Sequence, residues 1–262
     1  MLKMVKQLKI LIVFFTLTLC FNAFAEKIKV VAEHLPPYQI ANSTRLDGFA
    51  IDVTQALFST QPQQPDIEIM PWARAYLTAL HNKNTLILSI ARMQSRETLF
   101  HWIGTLNTET LYVWSLASNT ELTPYSLMQL KTAHIAVSQN SYVDQFLTQQ
   151  LFTNLERLAT PEQYIGMLFK SRVDYIISTE ATLKKQLEQL NLDFKQLKKV
   201  LALTELQENL SIAINLNSNP ELIRQFQTEF KQLEENGVLQ QLRHKWQIDV
   251  DMSKKETSLN IM

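Results

Sequence analysis

Residues 28–58 read IKVVAEHLPPYQIANSTRLDGFAIDVTQALF. Ile28 to Ala32 is a short apolar run rich in β-branched residues, Pro36 and Pro37 break it, and Phe49 to Phe58 then carries its apolar residues at helical spacing. Strand, turn and helix in that order form the repeating unit of an α/β protein. Working outward, further strands are predicted at Ile67 to Met70, Leu86 to Ile90, Leu111 to Leu116, Ile135 to Val137, Val173 to Ile177 and Leu210 to Ile214. Helices are predicted at Ala73 to Leu80, Val143 to Phe152, Gln163 to Phe169 and Ala181 to Leu190. Near the C-terminus Asn219 can cap a helix and Pro220 suits its first turn. Leu222, Phe226, Phe230 and Leu233 follow at helical spacing up to Gly237, and a short helix is predicted over Leu239 to Trp246. The alternation predicts largely parallel sheets covered by helices.

Upstream, Lys3, Lys6 and Lys9 precede an apolar-plus-threonine stretch from Ile10 to Leu19 and then Ala23-Phe24-Ala25. Charged, apolar, small-x-small is the order of a cleavable export signal. The apolar stretch is about ten residues, short of the roughly 20 that a spanning helix needs, so residues 1–25 are read as a signal peptide cleaved after Ala25. The expected location is the periplasm. Cys20 raises a lipid-anchored alternative, but Leu19 stands where that signal wants a small residue.

Cleavage leaves 237 of the 262 residues without a cysteine, since Cys20 is the only one, and 22 basic residues against 25 acidic, a formal net charge of −3. A chain of that length can bury a sufficient core without disulfides. Its slight acidity implies no nucleic-acid partner. The four glycines, at 48, 104, 166 and 237, are too far apart for a phosphate-cradling loop, no serine lies in a G-x-S-x-G elbow, and the five histidines lack metal-ligand spacing. No cofactor, metal or catalytic residue is therefore assigned. The polar tail 251–262 is expected to fray.

Three segments taken together resemble the bacterial family 3 extracellular solute-binding proteins. The first is Glu33-His34-Leu35-Pro36-Pro37-Tyr38 followed by Gly48-Phe49-Ala50-Ile51-Asp52-Val53. The second is Met70-Pro71-Trp72-Ala73-Arg74-Ala75-Tyr76, then Ser89-Ile90-Ala91-Arg92-Met93-Gln94-Ser95-Arg96-Glu97 leading into Phe100-His101-Trp102-Ile103-Gly104. The third is Val137-Ser138-Gln139-Asn140-Ser141-Tyr142, with Ser171-Arg172-Val173-Asp174 further on. The resemblance runs from Lys27 to Trp246 and implies a type 2 periplasmic-binding fold: two α/β lobes joined by two hinge strands, with a ligand cleft between them. Lobe 1 is expected over 26–108 plus 208–250 and lobe 2 over 109–207. The hinge crossings are placed near Asn107 to Leu111 and near Leu206 to Leu210, and ligand binding is expected to close the hinge.

The resemblance also assigns the cleft. Arg96 matches the arginine that clamps a ligand carboxylate, a task suited to a fixed fork of charged donors, and it is expected at a helix N-terminus whose dipole would assist. Arg92 is a second candidate, and Ser89 matches a ligand-bonding hydroxyl. Ala91 stands where many amino-acid binders carry a hydroxyl, which puts a standard amino-acid pose in doubt. Tyr38 and Trp72 match apolar walls that sandwich the ligand, with plain core packing as the alternative. Arg74 is placed near the same space and Tyr76 in packing. Asn140, Ser141 and Tyr142 match the loop that completes the carboxylate site. Asn140 replaces the usual glycine, a change a left-handed turn tolerates. For a ligand ammonium the candidates are Thr179 and Glu180, the latter one position out of register. Glu33 is expected at the cleft edge and Asp174 at a structural turn.

The leading expectation is a monomeric, non-catalytic receptor that delivers a small polar, carboxylate-bearing solute, an amino acid or relative, to an ABC permease in the inner membrane. Two alternatives stand beside it. One is a sensory or orphan module acting in trans. The other is a cyclohexadienyl-dehydratase-like enzyme using Glu180 or Glu33 as general acid.

Overall fold

Runs such as Leu86 to Ile90 are apolar on both sides because helices cover both faces of the sheet they enter. The computed structural model describes residues 28–248, apart from 42–44, 62, 121–123 and 125. The signal segment 1–25 and the tail 251–262 lie outside the described residues. Strands β1 (Lys29–Ala32), β4 (Asp66–Ile69) and β5 (Thr85–Ala91) are parallel. The helices between them are α1 (Phe49–Leu57) and α2 (Trp72–His81), and a two-residue hairpin, β2 (Ile40–Ala41) with β3 (Leu46–Asp47), decorates the first loop. The chain then runs through β6 (Phe100–Leu116), β7 (Ile135–Ser138), α3 (Tyr142–Gln149), β8 (Leu155–Leu158), α4 (Pro161–Phe169), β9 (Tyr175–Ser178) and α5 (Glu180–Gln189). It returns along β10 (Leu197–Asn215) to α6 (Pro220–Glu235) and α7 (Val238–Lys245).

β6 and β10, 17 and 19 residues long, pair antiparallel and form a continuous spine. The strand order is β4-β1-β5-β10-β6-β9-β7-β8. The part of β10 near Leu210 to Ile214 pairs with β5, whereas the part of β6 from Tyr112 to Trp114 pairs with β9. Each long strand therefore serves two cores. In lobe 1, Val30, Leu86, Leu88, Leu106 and Ile212 pack under α1, α6 and α7, while Val31, Ile87, Ile90 and Ala213 pack under α2. In lobe 2, Leu111, Val113, Ile135 and Val137 pack under α3, while Trp114, Ala136 and Ile176 meet Ile165, Leu168, Leu183 and Leu187 from α4 and α5. Successive residues go to opposite faces, as the period of a strand demands. Each lobe is thus a helix–sheet–helix sandwich.

Local chemistry sets the details that matter for the cleft. Ser89 has φ 52 and lies where the β5–β10 register shifts, a bulge that turns the last residues of β5. Asn219 accepts from the Glu221 backbone N–H to start α6, with Pro220 in its first turn. The Thr160–Gln163 capping box starts α4 at Pro161, two residues before the position expected from periodicity. At Gly104 a Cβ would lie 2.1 Å from the Phe230 ring, so only glycine lets α6 cross β6 there.

Candidate functional site

The carboxyl ends of parallel strands in the two lobes face each other, the place where open α/β sheets bind ligands. From lobe 1, Pro71 ends the β4 loop and Trp72 opens α2, while Arg96 follows β5. Gln94–Arg96 is a single 3₁₀ turn rather than the start of a helix, so the helix dipole expected beside Arg96 is not there. Arg96 is wholly buried. Its Nη1 donates to the Ala91 carbonyl at 3.0 Å, Nη2 to the Asn140 carbonyl at 3.2 Å and Nε to Gln145 Oε1 at 3.3 Å. Its guanidinium carbon lies 5.6 Å from the Trp72 ring centroid and 5.0 Å from that of Tyr76. Tyr76, expected only to pack, therefore also flanks the charge.

Asn140 belongs to lobe 2, in the left-handed turn (φ 59) between β7 and α3. Its carbonyl oxygen accepts three hydrogen bonds: from Trp72 Nε1 at 2.9 Å, from Arg96 Nη2 and from Gln145 Nε2 at 3.1 Å. Donors from both lobes thus converge on one oxygen. The rest of this loop is occupied internally. Asn140 N–H donates to Asp144 Oδ2 at 2.9 Å, Ser141 N–H to the Ser138 carbonyl, and Ser141 Oγ caps α3 by accepting from Asp144 N–H. Asp144 is buried and is bonded by Arg157 Nε at 2.8 Å. A carboxylate of the protein itself fills the anion position that the loop offers.

Beside the Asn140 loop lies a small cavity of about 80 Å³, lined by Glu33 and Leu35 from lobe 1 and by Ser138, Ser141, Tyr164, Thr179 and Gln186 among others from lobe 2. Two buried polar atoms at this cavity, Ser138 Oγ and Gln186 Nε2, have no hydrogen-bond partner among the described residues. Gln186 Oε1 accepts from the Tyr164 hydroxyl at 2.9 Å, which fixes the amide. On the spine beside this cavity stands Glu109, a half-buried residue whose Oε2 is sealed from solvent and has no hydrogen-bond partner among the described residues. Desolvation raises its pKa above the ordinary carboxylate range, opposed in part by the polar groups of Thr179, Tyr38 and Asn107.

The other expected residues distribute unevenly. Tyr38 is completely buried, edge-on to Phe49, and its hydroxyl accepts from Asn107 Nδ2 at 3.1 Å. It packs as core while touching the spine. Ser89 accepts from Gln39 Nε2, buried beneath the cleft. Arg92 points away: it forms a two-pronged pair with Glu97 and stacks 5.1 Å from the Trp102 centroid, which holds the Glu97 carboxyl below its usual range. Arg74 is exposed, and Tyr142 packs on the lobe 2 core. Glu180 is bound by Lys184 and Lys199 in a groove between the lobes lined by Pro37 and Trp246 from lobe 1 and by Lys185 and Glu188 from lobe 2, while Thr179, its neighbour, caps α5 by accepting from Thr182 N–H. Asp174 accepts from His134 N–H at a turn. The sequence reading missed Glu109, Gln145 and Gln186. For Glu109 a signal existed: it is an acid at strand spacing between Asn107 and Leu111, on a strand expected to cross between lobes.

Among the described residues no helix is long and apolar enough to cross a membrane, and no cluster of three metal-ligating side chains occurs. No curated protein sequence matches the chain. Solved structures do. A histidine kinase sensor domain with similarity to periplasmic binding proteins superimposes with TM-score 0.76 at 14% identity, over 86% of this chain and 98% of that one. The arginine-, lysine-, histidine-binding protein ArtJ from Geobacillus stearothermophilus gives 0.73 at 16%, over 87% and 99%. An ancestral arginine-binding protein bound to arginine gives 0.72 at 17%, over 84% and 97%. At these identities the likeness establishes the fold, that of type 2 periplasmic binding proteins. The profile of the bacterial extracellular solute-binding proteins, family 3, matches residues 28–249, and the chain belongs to that family.

Proposed function

We propose that this solute-binding protein captures a small polar solute bearing a carboxylate in the cleft between its lobes, closes around it, and hands it to an ABC permease. The observation that carries the reading is the convergence of Trp72 Nε1, Arg96 Nη2 and Gln145 Nε2 on one oxygen at the lobe boundary. Two neutral donors and a guanidinium aimed at one point suit a carboxylate oxygen better than a neutral carbonyl, because charge-assisted bonds are about twice as strong. A ligand carboxylate competes for these donors with the Asn140 carbonyl, and that competition couples binding to the relative position of the lobes.

The test is a thermal-shift screen over amino acids, opines and small carboxylates. A stabilising ligand is expected, and a melting curve unmoved by all of them counts against the reading. For a ligand so found, Arg96→Ala should weaken binding by about 2 to 4 kcal/mol; unchanged affinity moves the site elsewhere. The dehydratase alternative loses one of its candidate acids, because Lys184 and Lys199 hold the Glu180 carboxyl below its usual range, the wrong direction for a proton donor. Absence of phenylpyruvate formation from prephenate would remove that alternative.

A further inference from the structure

We infer that Gln186 and Ser138 form a subsite of lobe 2 that takes an uncharged, hydrogen-bond-accepting end of the solute, a carboxamide above all. This rests on the receptor reading and adds what the far end of the solute must be. The subsite is the cavity of about 80 Å³ beside the Asn140 loop. A single water needs roughly 10 to 15 Å³, so the space suits a group of several heavy atoms. Val137, Val143, Pro161 and Ile177 give it apolar walls in lobe 2, and Leu35 faces them from lobe 1.

The polar groups in those walls have distinct roles. Gln186, on α5, is only 2% exposed. Its Oε1 is taken by the Tyr164 hydroxyl at 2.9 Å, and its Nε2 has no hydrogen-bond partner among the described residues. Tyr164 lines the same cavity, so this bond fixes the amide in the wall with its donor uncommitted. Ser138, at the end of β7, has a buried hydroxyl likewise without a partner among the described residues. An amide nitrogen only donates, whereas a hydroxyl donates or accepts. A carboxamide meets both: its carbonyl accepts from Gln186 Nε2 and its N–H donates to Ser138 Oγ. An apolar end would leave the Gln186 donor buried and unpaired, which costs more than a typical hydrogen bond contributes. A carboxylate end fares no better, because no lysine or arginine lines the cavity and its one charged side chain is the acid Glu33.

Calorimetric titration of the exported chain with probes of one shape tests the assignment. L-glutamine, L-glutamate and L-homoleucine end in a carboxamide, a carboxylate and an isopropyl group. Glutaramate, glutarate and isoheptanoate repeat the series without the α-amino group, so that group cancels from the comparison. In at least one series the carboxamide should bind about tenfold or more tighter than both relatives, the scale of one buried donor left unpaired. In Gln186→Met the carboxamide should lose about tenfold while the isopropyl relative changes by no more than about twofold, a selective loss that a merely structural residue would not cause. A carboxylate or isopropyl end that binds as well as the carboxamide, or a Gln186→Met protein that keeps the preference or weakens all three ends equally, overturns the inference. Gln186→Met also takes the acceptor from Tyr164. If it melts too early to titrate, Ser138→Ala should still cut the preference by about threefold or more, and an unchanged preference overturns the inference as well. Silence from all six probes, with a ligand found in the broad screen, overturns the subsite assignment alone; silence in both overturns the receptor reading itself.

Discussion

Arg96, wholly buried, and Glu109, half-buried with one oxygen sealed from solvent, are two ionisable side chains near the boundary between the lobes, and the protein treats them in opposite ways. Arg96 gives hydrogen bonds to two carbonyls and an amide oxygen and lies against two aromatic rings. Glu109 has only neutral polar groups beside it, those of Thr179, Tyr38 and Asn107, and one carboxylate oxygen without a hydrogen-bond partner among the described residues. The difference teaches where each belongs in the function. A charge whose hydrogen-bond acceptors come from both lobes ties them together. A charge whose burial only neutral groups offset lowers stability whenever it is ionised.

The largest expected effect is the removal of the satisfied charge. Arg96→Ala opens a cavity between Trp72 and Tyr76 and removes a charged donor from the Ala91 and Asn140 carbonyls, so urea unfolding should show a loss of about 2 to 4 kcal/mol. A loss within about 0.5 kcal/mol, the range of ordinary surface changes, would break the comparison by showing that Arg96 holds nothing. Glu109→Gln should act in the other direction. Its folded pKa is raised, chiefly by desolvation, so the stability tied to Glu109 is full below the ordinary carboxylate range and is lost as pH rises through the folded value. Wild type should therefore fall behind Glu109→Gln as pH climbs toward neutrality, by about 1 kcal/mol if the cost is that of one unsatisfied buried group. Parallel melting-temperature curves against pH would show that Glu109 is already accommodated.

The same contrast explains what the sequence made legible. Apolar periodicity marked both cores, since helices cover both faces of their sheets. It marked only parts of the spine, at Leu111 to Leu116 and Leu210 to Ile214, because Thr105, Thr108 and Thr110 interrupt the apolar pattern where β6 has one wetter side. The edge strand β8 went unread for a similar reason: Glu156 and Arg157 at its centre are exposed edge charges. Residue type and motif order placed Trp72, Arg96 and Asn140 together. They did not foresee that Asp144, a helix-turn later, takes the Asn140 N–H, or that Arg92 turns outward to Glu97. Those outcomes depend on rotamers and on which of two nearby acids an arginine reaches, and neither leaves a periodic trace.

Trp72→Phe sharpens the Arg96 side at smaller scale. It keeps a ring beside the guanidinium and removes one of three donors on the Asn140 oxygen. Because two donors remain, the loss should be only about 0.5 to 1 kcal/mol, that of a typical hydrogen bond whose acceptor is not stranded. A loss as large as that of Arg96→Ala would mean that the indole N–H, not the charge, joins the lobes.

Glu180→Gln is expected to move stability least, and its sign is the control for Glu109. Hydrogen bonds from Lys184 first, then Lys199, lower the Glu180 pKa. Its stability contribution is thus present above the ordinary carboxylate range and is lost as pH falls through the depressed folded value, the reverse of Glu109. Glu180 is about one-third exposed and Lys184 nearly half exposed, so screening by solvent keeps the difference below about 1 kcal/mol and salt should erode it further. Melting curves of wild type and Glu180→Gln should converge in acid and separate slightly toward neutrality. Those of wild type and Glu109→Gln should also converge in acid but separate toward neutrality with wild type below the variant, and a shared sign would mean that burial does not distinguish these two acids.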